Sequence, residues 1–146
     1  MASRRLAGLA LRAAGVTLIL LGLVHLAATP HIPQLLDGMS ERARQFAVGP
    51  TLLNHVLVGI LLLPLGFTTW VAAARRYQGE PWAGRILAAN AITLLTLPIT
   101  IVIFMRQPEY YHAPLFVLGV TLVALTAVLV AIAAWARTRP ERREIN

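Results

Sequence analysis

Four long apolar stretches constrain what this chain can fold into more than any other feature. A helix needs about 20 mostly apolar residues to cross a bilayer. The stretches run from about Leu9 to Thr29, Thr51 to Ala74, Trp82 to Met105 and Pro114 to Ala136. Backbone N–H and C=O groups find no water inside a bilayer, so a spanning segment must pair them internally, as a helix does. The composition agrees. Charged residues make up 13% of the chain and hydrophobic ones 58%, where a soluble domain carries about 25% charged residues. The expected fold is an all-α integral membrane four-helix bundle. It forms one transmembrane domain over residues 1–146, with an Arg-rich tail at 137–146.

The breaks between spans are marked by residues that stop helices. Thr29-Pro30-His31-Ile32-Pro33 ends the first span, because proline removes a backbone donor and clashes with the preceding turn. Gly49-Pro50 is expected to open the second span. Arg75, Arg76 and Gly79-Glu80-Pro81 separate the second from the third, and Gln107-Pro108 and Ala113-Pro114 bracket the last connection. Ser40-Glu41-Arg42-Ala43-Arg44-Gln45-Phe46 reads as a short surface helix capped by Ser40. Pro64 and Pro98 fall inside spans, where each is expected to kink its helix.

The net charge is +7, and every one of the thirteen basic residues is Arg. The arginines do not gather on one face with interleaved aromatics, which argues against nucleic acid as a partner. They sit at the ends of spans. Arg4, Arg5, Arg12, Arg75, Arg76, Arg85, Arg137, Arg139, Arg142 and Arg143 fall on one side, against Arg42, Arg44 and Arg106 on the other. By the positive-inside rule this places both termini in the cytoplasm, with up-down-up-down topology. Trp70, Trp82 and Trp135 lie near the cytoplasmic ends, and Tyr110 and Tyr111 near the external one, as an aromatic belt requires. The first span has the outline of a secretory signal and is read as an uncleaved first helix. An Arg-only, Ala/Leu-rich composition suits a bacterial cytoplasmic (inner) membrane.

His25 and His55 lie inside spans. An ionisable group is costly there and usually faces a protein interior. At a rise of 1.5 Å per residue, each lies roughly 6 Å from the external end of its helix. Helices joined by one connection are usually neighbours, so both imidazoles are expected at one level. Gly22 and Gly59 fall on the same helix faces as the histidines and just deeper, with Gly119 at similar depth in the fourth span. One consequence would be a layer free of side chains that admits a flat cofactor, a b-type haem with His25 and His55 as axial ligands. Another would be a transition metal (Zn, Cu or Fe) held by His25, His55, His31 and His112 with Glu109 or Asp37. The plainer alternative is that the glycines let helices pack closely and the histidines hydrogen-bond across them. The histidine pair resembles that of four-helix membrane cytochromes, a likeness resting on these two residues alone. Cysteine is absent, which excludes disulfides, thiolate metal sites and iron–sulfur clusters.

Other polar residues are few. Asn54 precedes His55. Asn90, Thr93, Leu97 and Thr100 share a face of the third span, with Thr96 nearby. Lipid would leave the Asn90 amide unsatisfied, so this face should turn inward for interhelical hydrogen bonding; a polar path is the sharper alternative. No nucleophile elbow and no phosphate loop is present. Three functions follow as expectations. The first is a membrane protein holding haem or a metal on its extracytoplasmic side, in electron transfer with a quinone or a redox partner. The second is a cofactor-free anchor or accessory subunit, within a larger complex or a homo-oligomer. The third is a transporter or membrane enzyme using the outer His/Tyr/Glu cluster.

Overall fold

The structure is a computed structural model that describes residues 2–104, 112 and 114–136. Four α-helices account for nearly all of it: α1 (Ala2–Ala28), α2 (Glu41–Arg76), α3 (Pro81–Phe104) and α4 (Pro114–Trp135). No strand occurs among the described residues. All four helices are long and apolar enough to cross a bilayer. Many of their large apolar side chains are exposed, Leu20, Ile60, Ile92, Leu125 and Ile132 among them, which suits lipid rather than water.

Proline shapes the end of α1 without stopping the chain from winding. Past Ala28 the helix tightens into a 3-10 stretch, Thr29–Leu36, with Pro30 in its first turn and Pro33 within it. The Thr29 hydroxyl donates to the His25 carbonyl at 2.9 Å, pairing an acceptor that the tightening would otherwise free. Ile32 is buried in this stretch.

Helix α2 departs from expectation. Ser40 does cap it, its hydroxyl accepting from the Ala43 amide at 3.4 Å, and Glu41 complements the positive end of the helix. The expected short surface helix, however, does not end. It runs on through Gly49-Pro50 as one helix to Arg76. Pro50 removes only its own amide donor, and continuing the helix satisfies every other backbone group nearby. At 36 residues, α2 exceeds the length that a hydrocarbon core of about 30 Å requires. Its first turns are mostly exposed.

The turn from α2 to α3 is tight. Gly79 adopts φ +86, a left-handed conformation that side chains with a Cβ resist. Around it the amides of Gln78 and Glu80 reach the Arg75 carbonyl, and that of Gly79 reaches Arg76. Pro81 then opens α3, where its missing donor has no helical partner to lose.

The helices form two hairpins, α1/α2 and α3/α4. Gly15 meets Gly66 and Gly22 meets Gly59, so α1 and α2 run antiparallel in direct contact. The largest fully buried side chains are Leu11, Leu18, Leu62, Leu87, Leu94, Val130 and Thr69. They cluster with Ala72, Ala83, Ala91 and Ala127, small residues that let the helices approach. All belong to the first parts of α1 and α3 and the last parts of α2 and α4. Beyond Leu94 in α3 and before Val123 in α4, no described residue is buried. Packing in α3 and α4 is thus concentrated at the Arg-rich end, whereas α1 and α2 stay in contact as far as Gly22 and Gly59 on the histidine side.

Candidate functional site

His25 lies in the last turn of α1. Its Nδ1 stands 3.0 Å from the Leu21 carbonyl. A carbonyl only accepts, so Nδ1 carries the proton and Nε2 keeps its lone pair in the neutral ring. The imidazole of His55 stacks on that of His25, with ring centroids 4.7 Å apart and planes 29° from parallel. The two histidines sit at one level on neighbouring antiparallel helices, as their depths require. Among the described residues, the buried His55 Nε2 has no hydrogen-bond partner. An unpaired buried polar atom costs about 1–3 kcal/mol, so this nitrogen is the outstanding unsatisfied group of the pair.

The glycines near the pair serve the helix crossing itself. A Cβ on Gly22 would lie 2.8 Å from the Gly59 carbonyl oxygen, and one on Gly59 would lie 2.9 Å from the Leu26 side chain. Backbone and leucine fill the layer expected to be free for a cofactor edge. Gly119 stands apart, with nothing within 4 Å of the position its Cβ would take. Two axial imidazoles approach a haem iron end-on from opposite faces, with the porphyrin plane between them. Here the rings touch face to face and the backbones just deeper are in contact, so a haem does not fit between His25 and His55. His25, with Nδ1 committed to Leu21, and His55, with Nε2 unpaired among the described residues, could each offer Nε2 to a metal ion only once their rings leave the face-to-face stack. Metal-binding histidines commonly donate their other N–H to a backbone carbonyl, as His25 does to Leu21.

The remaining candidates that are described do not join the pair as a ligand group. His31 is exposed on the 3-10 stretch and His112 is exposed before α4. Asp37 pairs with Arg44 at 2.9 Å on the surface. Asn54 is exposed. Glu109, Tyr110 and Tyr111 lie outside the described residues. Among the described residues, no three His, Asp or Glu side chains form a ligand group.

Two polar devices hold the opposite end together. Asn90 on α3, 7% exposed, reaches α2 with its amide nitrogen. It stands 2.9 Å from Thr68 Oγ1, 3.0 Å from Thr69 Oγ1 and 3.3 Å from the Leu65 carbonyl. The sequence placed Asn90 inward, and its role is interhelical bonding. Beyond it, Thr93 and Thr96 donate to carbonyls of their own helix. Arg76 was legible only as a topology charge. Its guanidinium donates to the carbonyls of Ala133, Ala134 and Ala136 at 2.9, 2.9 and 2.6 Å, capping the negative end of α4. It passes over Gly84 at the start of α3, where a Cβ would lie 3.2 Å from Nη1. The signal for Arg76 was weak, and that for Gly15 and Gly66 was present. Gly15 and Gly22, like Gly59 and Gly66, stand seven residues apart and so share a helix face.

Compared with known proteins, the chain matches no family model, no curated sequence and no solved structure.

Proposed function

We propose that this is a four-span protein of the bacterial cytoplasmic membrane that holds a transition-metal ion through His25 and His55. Both ends lie in the cytoplasm and the histidine pair lies near the extracytoplasmic surface, a placement that rests on the arginine distribution. The protein serves as a membrane subunit that passes electrons to or from a quinone or a partner protein. The reading is carried by one observation: stacked imidazoles on adjacent helices, one oriented by the Leu21 carbonyl and the other with a buried, unpaired Nε2. Imidazole nitrogens are the donors here, and they suit Cu, Zn, Fe or Ni.

A second reading, a cofactor-free accessory subunit, draws on the outer halves of α3 and α4. Phe104 is 78% and Leu115 82% exposed, an apolar surface that a neighbouring subunit can cover as well as lipid.

Metal analysis of the detergent-purified protein, with an optical spectrum before and after dithionite, separates the two. The expected result is a bound first-row metal, no haem Soret band, and loss of the metal in both H25A and H55A. A wild-type protein with no more metal than the two variants would defeat the proposal and favour the accessory subunit.

A further inference from the structure

A groove of about 280 Å³ lies between α1 and α4 at the Arg-rich end of the bundle. Ala7 and Leu11 form its α1 wall, and Leu129, Ile132 and Ala136 its α4 wall. Tyr77, just past the end of α2, closes it. The Tyr77 ring rests against α1, where a Cβ on Gly8 would lie 3.6 Å from it. We propose that this groove binds an anionic phospholipid, with one acyl chain in the groove and the phosphate among the arginines of the same end.

Shape selects the chain. The lining side chains are apolar apart from the Tyr77 hydroxyl. Ile132 and Ala136 are exposed, so the groove opens sideways, towards lipid when the bundle is in a membrane. Along α4 it covers residues 129–136, roughly 10 Å at the helical rise. A partner helix is about 10–12 Å across and does not enter a space of this volume. A single hydrocarbon chain does. The residues that follow Ala136 are polar except for Pro140 and Ile145, so the chain's own tail matches this lining poorly.

Charge selects the headgroup. The carbonyls of Ala133 and Ala136, both in the α4 wall, hold the Arg76 guanidinium, so a cation stands against the groove. Arg5, Arg12, Arg75 and Arg85 are exposed at the same end. The ten arginines on this side of the chain outnumber its three glutamates, Glu80, Glu141 and Glu144. Basic sites between membrane helices on the cytoplasmic side bind anionic lipid headgroups, and each arginine near the surface adds to the attraction. A zwitterionic headgroup brings its own cation to the same arginines and gains less.

The test is native mass spectrometry of the full-length protein in detergent, equilibrated with phosphatidylglycerol and phosphatidylcholine of identical acyl chains. The expected result is one phosphatidylglycerol retained per chain, preferred over phosphatidylcholine by roughly tenfold. A7F puts a ring into the groove and should lose the lipid. A13F, at an exposed position outside the lining, should keep it. Circular dichroism confirms that both variants fold. Phosphatidylglycerol carrying a diazirine in its acyl chain should crosslink the wild type within residues 7–11 or 129–136, a readout that needs no variant. Equal retention of the two lipids, or crosslinks confined to other segments, would overturn the proposal. So would a wild type that retains neither lipid, its groove left to detergent or to residues 137–146.

Discussion

Gly15 and Gly66 press their backbones together. A Cβ built on Gly15 would lie 2.8 Å from the Gly66 carbonyl oxygen, and one on Gly66 would lie 2.6 Å from that of Gly15. Without a hydrophobic force between helices in lipid, such close packing is a principal source of association. The atoms met are backbone, which cannot swing aside. G66A should therefore lower stability by about 1–3 kcal/mol, the usual cost of overpacking. G49A makes the matching control. Gly49 lies inside α2 with nothing within 4 Å of its Cβ position, and alanine there should gain roughly 0.5–1 kcal/mol of helix propensity. Unfolding midpoints followed by circular dichroism in detergent check both. Equal midpoints for the two variants would mean that α1 and α2 do not cross at this point.

Asn90 offers a donor where its neighbours offer acceptors. Thr68 Oγ1 itself donates to the Pro64 carbonyl at 2.7 Å, so it meets the Asn90 amide with a lone pair, and the Leu65 carbonyl can only accept. N90A should cost about 0.6–2 kcal/mol, the range found for hydrogen bonds between membrane helices. N90D should cost more, since a carboxylate presents acceptor to acceptor and carries a charge into the span. The order wild type, N90A, N90D in unfolding midpoint is the expected outcome. An N90D midpoint at or above that of N90A would show that Asn90 does not act as the donor to α2.

How much of this could be read before the structure depends on whether a feature belongs to one helix or to two. The four spans were legible because bilayer thickness sets a length scale that apolar runs either meet or miss. Asn90 was legible as an inward residue for a local reason, an amide among apolar neighbours. Its partners, Thr68 and Thr69, depend on the register between α2 and α3, which no single helix encodes. The matched depth of His25 and His55 needed only span ends and the helical rise. What lies beneath them stayed open between a cofactor edge and close helix packing, because glycine signals a missing side chain without saying whether backbone or ligand fills the gap. At Gly22 and Gly59 backbone fills it. Gly49-Pro50 misled for a related reason. A proline forbids one hydrogen bond, and the cost of ending a helix in apolar surroundings can exceed that of losing the bond.

Arg76 ties the end of α2 to the end of α4 through the carbonyls of Ala133, Ala134 and Ala136 in its last turn. A cation in such a partly buried position at a helix C-terminus stabilises by up to about 2 kcal/mol. R76A should therefore fray the last turn of α4, read as faster amide exchange over residues 130–136 with α1 unaffected. R76K should recover only part of the protection. An ammonium is a point charge without the planar fork that serves three acceptors at once. Exchange unchanged in R76A would mean that the α4 terminus is held by something other than this guanidinium.

Orientation in the membrane can be settled with single cysteines, because the chain has none of its own. Gly38, between the 3-10 stretch and α2, is exposed and has open space around its Cβ position. Its φ is not positive, so G38C should fold without strain. Gln78, in the turn between α2 and α3, is exposed as well. The bond its side chain accepts from Arg75 at 3.3 Å is a surface contact of little weight. The arginines predict opposite outcomes for the two sites, since those at 75, 76 and 85 mark the second turn as cytoplasmic. A membrane-impermeant maleimide applied to intact cells should label G38C and should reach Q78C only after permeabilisation. The reverse pattern would turn the protein over and put the His25/His55 pair near the cytoplasm.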